Sequence, residues 1–499
     1  MNFEKKMKQR IDQNLNKMVK NPYEAEKVEK AHKLPFWAKL AIPVGGVVLA
    51  TSIALAVLLP LASAKTKDAV GNRLTTAKVA KIVDQTTRTL STKTYNSYTA
   101  FAKKFTKLVL ETNNKEKEAS LGISIPDAYL CLAITGVISS EKALGDVLAY
   151  LELSSIEELR TAVAEVVAVL CTLTEDKEGR LNGGYNLNSI WLDPEQVELL
   201  ATKDEQLYKD LEEVFDATTY LEALTSEKAN KYLKENGIKN MPTPEVKLDD
   251  SNPSAVSVMS AFWCLDFFAA EAKQSFENQY KSGNHKMDYT FGDTKKKVDY
   301  IETQCEAPVY EGDDFYGTRS GINNLLVSFF LPHDEKALPS TIMGDVLNEN
   351  YRSLYTSYEG PDGSQVDKAQ YQVHLSAPYF SLDNFISLEH QDLAPILPNI
   401  TASGAASRLA KTKTGFDMYL DNIAQFSVMK FNYDGFYSCS VTISQMRPTS
   451  ARWPSPNVFE LTLDHPYIFN VSKTVFKDGT DWAQMPIVIG EIVDPNYID

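Results

Sequence analysis

The chain is poor in the residues that usually announce chemistry. Its five cysteines (Cys131, Cys171, Cys264, Cys305 and Cys439) stand far apart in 499 residues, and no C-x-x-C pair occurs. So sparse and odd a set argues against a disulfide framework; three lie in apolar runs, where a buried free thiol is the ordinary reading. The six histidines form no H-E-x-x-H, and G-x-S-x-G and the phosphate-cradling loop are both missing. These absences exclude the common hydrolase, metalloprotease and nucleotide-binding classes, so the expectation is no enzyme, no metal and no cofactor. Neighbouring acids such as Glu311, Asp313 and Asp314 read as loop solvation. Positive charge is also short: 51 Lys and Arg against 66 Asp and Glu leave a net charge of -15. Without a basic face to replace phosphate counterions, no nucleic-acid partner is expected.

Apolar residues are plentiful, at 43% of the chain, enough for a sizeable core in one large domain or two to three ordinary ones. One run stands apart. From Leu40 to Ala64 no charge interrupts LAIPVGGVVLATSIALAVLLPLASA, long enough to cross a ~30 Å hydrocarbon layer as a helix. Phe36 and Trp37 sit at its entrance, as interfacial aromatics do. The reading is an uncleaved signal anchor. A cleaved signal peptide (Ala62-Ser63-Ala64 resembles a cleavage site) and a buried core helix are the alternatives. Lys20, Lys27, Lys30, Lys33 and Lys39 precede the run, and Lys65, Lys67 and Arg73 follow it. This bias favours an inside tail and an outside domain. The expected layout is a short cytoplasmic tail over 1–35, a transmembrane anchor over 36–64, a juxtamembrane stalk over 65–92 and a folded domain over 93–499.

Within that domain, helical stripes come first. Tyr98, Phe101, Phe105, Leu108 and Val109 form one, and Leu159, Val163, Val166, Val167 and Leu170 another. Helical patterns also cover 196–215 and 221–236, the latter ending at Asn236-Gly237. After about residue 250 the pattern turns to strands: Val256 to Phe268, Val298 to Tyr310, Asn324 to Leu331 and Gln372 to Phe380. Helices followed by strands, with no βα alternation, indicate an α+β fold with mostly antiparallel sheets.

The last part of the chain is the most telling. A strand-like run from Phe426 to Phe431 meets Asp434-Gly435, and a loop with Pro448, Pro454 and Pro456 follows. The chain then closes through Asp464-His465-Pro466-Tyr467-Ile468-Phe469 and Ile489-Gly490-Glu491-Ile492-Val493-Asp494-Pro495. Together with Gly122 to Ala133, Asn188-Ser189-Ile190-Trp191 and Asn324 to Pro332, in this order, these segments resemble the serpin family over roughly residues 93–495. With the apolar anchor, the combination looks like a membrane-anchored, bacterial-type member.

The resemblance implies a serpin-like fold with an exposed reactive-centre loop. It also implies a suicide-substrate mechanism: a serine or cysteine protease cuts the loop, which then enters the central sheet as a new strand. The protease would be the partner, with the membrane as anchor at the cell surface. The corresponding hinge is Gly435, Phe436, Tyr437, Ser438, Cys439 and Ser440. Strand side chains alternate faces, so Phe436, Ser438, Ser440, Thr442 and Ser444 would point inward. Four of these five are small. Phe436 stands where the family has a small Ser or Thr, and forcing a ring into a packed interior costs about 1–3 kcal/mol. Family spacing from Gly435 sets the scissile bond at Thr449-Ser450, counting back from Pro466 sets it near Ser455-Pro456, and Arg452-Trp453 is a further alternative. The family's shutter residues correspond here to Ile125, Ala128, Ser260 and Gln425; its hinge acid corresponds to Tyr433 and its breach tryptophan to Phe268. These departures leave a non-inhibitory binding or structural protein of the same fold as the alternative function.

Overall fold

The computed structural model describes residues 89–496, apart from 114–118, 172, 176–180, 203, 239–240, 242, 268–269, 322–324, 360–364, 439–456 and 480. The expected tail, anchor and most of the stalk lie outside the described residues, as do Phe268, Cys439, Ser440, Thr449, Ser450, Arg452 and Trp453. Among the described residues no helix is long and apolar enough to cross a membrane.

Helices α1 (Thr92–Asn113), α2 (Ile125–Val137), α3 (Glu141–Tyr150) and α4 (Ile156–Leu170) open the fold. Tyr98, Phe101, Phe105 and Val109 give α1 its buried stripe, while α2 is buried on nearly every side, as a helix apolar all round must be. Ser140 and Ser155 cap α3 and α4 through their side chains.

Two expected helices are shorter than their patterns. The 196–215 pattern divides into strand β5 (Val197–Leu199) and helix α5 (Glu205–Glu213), because Asp204 caps a new helix and β5 pairs with β18 (Ala410–Thr412). The 221–236 pattern becomes α6 (Ser226–Asn236), starting only where Thr225 accepts the Lys228 N–H. In the second half the chain is not all strand: α7 (Ala270–Lys281), α8 (Ser340–Asn348) and two shorter helices interrupt it. The folded part also begins ahead of residue 93, since β1 (Thr89–Leu90) is already paired.

Three larger sheets organise the rest. A seven-stranded central sheet runs β17 (Phe380–Glu389), β19 (Asn422–Asn432), β20 (Gly435–Ser438), β7 (Val256–Phe267), β4 (Leu181–Leu192) and β3 (Leu173–Glu175), with β6 (Ala217–Tyr220) parallel to β4. An eight-stranded sheet runs β13 (Arg352–Leu354), β10 (Val309–Glu311), β11 (Phe315–Gly321), β12 (Leu325–Pro332), β22 (Tyr467–Lys477), β23 (Asp481–Ile492) and β2 (Leu121–Ser124), with β1 on β22. A four-stranded sheet holds β21 (Val458–Thr462), β16 (Tyr371–Pro378), β9 (Thr294–Ala307) and β8 (Lys286–Phe291), and β14 (Thr356–Glu359) pairs with β15 (Gln365–Ala369). The expected strand Val298 to Tyr310 breaks at Pro308, which has no N–H for a ladder.

Aromatic rings join the first two sheets: Phe431 of β19 meets Phe329 of β12 at 6.2 Å, and Phe380 of β17 meets Phe469 of β22 at 5.2 Å. On the outer face of the central sheet α6 contributes Tyr232, which meets Trp191 of β4 edge-on at 5.8 Å, while Trp191 stacks on Tyr220 of β6 at 4.3 Å.

Candidate functional site: a half-filled slot in the central sheet

Strands β19 and β7 are not neighbours, because β20 stands between them and pairs antiparallel with both. Gly435 faces Asn432 and Phe267, and Ser438 faces Met429 and Cys264. Among the described residues no strand fills the slot beyond Ser438. Among the described residues, Val256–Trp263 of β7 and Asn422–Val428 of β19 have no partner on the edges that face each other. A sheet edge of this kind is a template for one more strand.

The turn that feeds β20 is built for a sharp reversal. Gly435 has φ +146°, a region that side chains avoid, and the Asp434 N–H donates to Asn432 Oδ1 at 2.9 Å. Helix α7 holds this turn: Lys273 pairs with Asp434, and Tyr280 lies 5.1 Å from Tyr433 and 5.8 Å from Tyr379. Tyr433, at the family's hinge-acid position, is thus a packing residue. Phe436 pairs with Phe431 and Asp266, both buried. Its position is already within the sheet.

Helix α2 crosses beneath the slot. At its start, Gln425 of β19 grips Ser124: the Ser124 N–H donates to Gln425 Oε1 at 3.0 Å, and Gln425 Nε2 donates to the Ser124 carbonyl at 2.8 Å. The same Nε2 donates to Asp127 Oδ2 at 3.3 Å. Further along the helix the Cys131 thiol approaches the Val258 carbonyl of β7 at 3.7 Å. Ile125 and Ala128 are buried between these two anchor points. Gln425 therefore ties helix to strand by hydrogen bonds at the shutter position, and Ser260 stands on the opposite edge of the slot.

Asp127 is the residue that sequence reading passed over. Burial pushes its carboxyl up to about 6, against hydrogen bonds from Ser124 and Gln425 that pull it down. Its Oδ1 is shut off from solvent without a partner, and so are Ser260 Oγ, Asn188 Oδ1 and both polar atoms of the Asn186 side chain. Two signals were available: the Ser124-x-x-Asp127 spacing of a helix start, and asparagines at alternate positions, Asn186 and Asn188, on one face of a strand. Elsewhere Cys131, Cys171 and Cys305 are free thiols, and Cys264 is buried. Among the described residues no group of three or more His, Cys, Asp or Glu is placed to hold a metal.

A short strand, β20, begun inside the central sheet, with the next described strand, β21, in another sheet, points to one architecture. Solved structures agree. The thermophilic serpin tengpin in its native state matches with a TM-score of 0.57 at 15% identity, covering 85% of this chain and 100% of tengpin. Serpin48, a highly specific serpin of the insect Tenebrio molitor, matches at 0.53 and 16%, covering 81% and 98%. AtSerpin1 of Arabidopsis, in its native stressed conformation, matches at 0.53 and 15%, covering 81% and 98%.

The fold is that of a serpin.

No protein-family model matches the chain, and no curated protein is similar to it in sequence. The described residues on either side of 439–456 are Ser438 in the central sheet and Asn457, whose carbonyl accepts the Gln372 N–H of β16 at 3.2 Å.

Proposed function

We propose that the chain is a membrane-tethered, cell-surface inhibitor of serine or cysteine proteases, acting as a suicide substrate. The target protease cuts the loop between residues 439 and 456, at Thr449-Ser450 or Arg452-Trp453. The freed strand then continues β20 down the slot between β7 and β19. The observation that carries this reading is β20 itself, seated between two strands whose facing edges are unpaired below it. Continuing the register, Cys439 to Gln445 would stand opposite Val428 to Asn422, a full set of ladder partners on both sides. Each ladder hydrogen bond contributes about 1 kcal/mol net, so entry along both edges supplies the drive.

The apolar run Leu40–Ala64, with its flanking lysines, supports a single-pass anchor with the C-terminal domain outside the cell. The test mixes the full-length chain with a panel of serine and cysteine proteases. A denaturant-resistant complex is expected, with release of the C-terminal peptide on denaturation; the peptide's first residue identifies the cut. Cleavage with neither a complex nor a rise in thermal stability would leave a serpin-fold binding protein instead.

A further inference from the structure

The eight-stranded sheet carries an aromatic pair at one end, beside the point where the chain enters the domain. Phe476 of β22 stands directly opposite Trp482 of β23, and their ring centres lie 3.5 Å apart. On its other edge Phe476 is the partner of Thr89 in β1. Thr89, Phe476 and Trp482 therefore form one row across three strands. Partnered residues of adjacent strands share a face, so the first described residue sits on the face that bears the rings.

Trp482 is 59% exposed, whereas Trp191 and Trp263 on the central sheet are buried. An indole is mostly apolar surface with one N–H, which suits a boundary that is apolar on one side and wet on the other. Lys477, the next residue along β22, holds its ammonium 5.2 Å from the centre of the Tyr95 ring on α1. Tryptophan, tyrosine and lysine are the residues that anchor proteins at the bilayer–water interface.

The neighbouring chain points to what covers the pair. Thr89 follows the end of the apolar run, Ala64, after 24 residues, 65–88. A bilayer anchored there is tethered to the domain through this row. Contact between tethered bodies is intramolecular, so a small patch with little intrinsic affinity is enough. Asp478 and Asp481 lie in and beside the turn that joins the two strands, and Asp478 accepts from the Thr92 N–H and hydroxyl. An anionic leaflet would repel these acids, so the fitting headgroup is zwitterionic.

We propose that Trp482 and Phe476 form a lipid-contact patch that seats the domain on a zwitterionic bilayer, with Tyr95 and Lys477 at its rim. The inference rests on the membrane-anchor reading above and adds the face that the domain turns to the lipid. It also sets an orientation. At the opposite end of β22, just before Tyr467, the Leu463 N–H donates to the Ser376 carbonyl of β16 and the Asp464 carbonyl accepts from Thr290 of β8. Nine residues of strand, about 30 Å at ~3.3 Å each, separate Tyr467 from Phe476. The four-stranded sheet therefore stands on the side away from the membrane.

The test reconstitutes the full-length chain into phosphatidylcholine vesicles and compares it with Trp482→Phe, an exposed site where a ring is kept. Subtracting the two emission spectra isolates Trp482 from the other four tryptophans. The difference emission is expected to be blue-shifted and to be quenched when the lipid is brominated in its upper acyl chain. Difference emission that stays red and ignores brominated lipid, in a chain that resists extraction by alkaline carbonate, overturns this inference alone. A chain that carbonate strips from the vesicles overturns the anchor reading and this inference with it.

Discussion

Replacing Gln425 by leucine tests the tie between helix and sheet most directly. Leucine keeps close to the volume of glutamine, so no large cavity opens and the loss isolates the hydrogen bonds. Three are removed: two to the Ser124 backbone and one to Asp127. Ser124 is 8% exposed, so water cannot readily replace them. Each buried backbone group left without a partner costs about 1–3 kcal/mol, which puts Gln425→Leu at about 2–6 kcal/mol. Urea unfolding followed by tryptophan fluorescence reads this well, because Trp191 and Trp263 are buried on the central sheet. Gln425→Glu sharpens the test. It keeps an acceptor for the Ser124 N–H but faces the Ser124 carbonyl with oxygen and adds a carboxyl beside Asp127. Its destabilisation should therefore grow as pH rises and both acids ionise. A loss below about 0.5 kcal/mol for Gln425→Leu, or a pH-independent loss for Gln425→Glu, would refute the reasoning.

Three further outcomes are expected. His465 has an acceptor at each ring nitrogen, Asp464 Oδ1 and the Pro332 carbonyl, both at 2.8 Å. Burial opposes its charge, but these bonds hold its pKa above 6.5. Its stabilisation is complete below pH 6.5 and fades as pH rises through the folded-state value, so between pH 6 and 8.5 the urea midpoint should drop more for wild type than for His465→Gln; parallel profiles would refute this. Burial lifts the Glu491 carboxyl from 4.5 to about 7, with the Ser340 N–H pulling the other way. The unfolded chain ionises first, so stability falls between those values, and Glu491→Gln should gain up to about 3 kcal/mol at pH 7.5 and nothing at pH 4; an equal effect at both would count against it. In β4, a Cβ on Gly184 would lie 2.0 Å from the Leu170 carbonyl oxygen. Main chain cannot step aside as a flexible side chain can, so Gly184→Ala should cost about 3 kcal/mol or more and reduce the yield of folded chain; a wild-type melting curve would contradict this.

The turn that begins β20 was legible in the sequence, because its signals are local. Asp434-Gly435 marks the turn, which Gly435 takes at φ +146°. The aromatic spacing of α1 likewise needs only its own turn-to-turn period. Helix α7 was missed because its 12 residues are mostly polar, with Phe276 and Tyr280 as its main apolar marks, and strands flank it on both sides. The break of 196–215 into strand and helix depends on β18, two hundred residues away. The pairing of Phe436 with Phe431 and Asp266 within β20 is likewise a tertiary fact that no local pattern announces. Asp127 stayed hidden for a similar reason. Its meeting with Gln425 spans 298 residues of chain, and only the fold reveals that an unremarkable acid in a helix's first turn lies under a sheet.

The path of the chain after the loop has a practical consequence. Past Asn457 it adds β21 to the four-stranded sheet, then runs β22 through the interior of the eight-stranded sheet between β12 and β23. A cut anywhere in 439–456 therefore severs the backbone without releasing the C-terminal piece, which remains threaded through two sheets. A nicked molecule would keep its size and mass under native conditions and part into two chains only under denaturant. An assay that waits for a fragment to leave the particle would score a spent molecule as untouched.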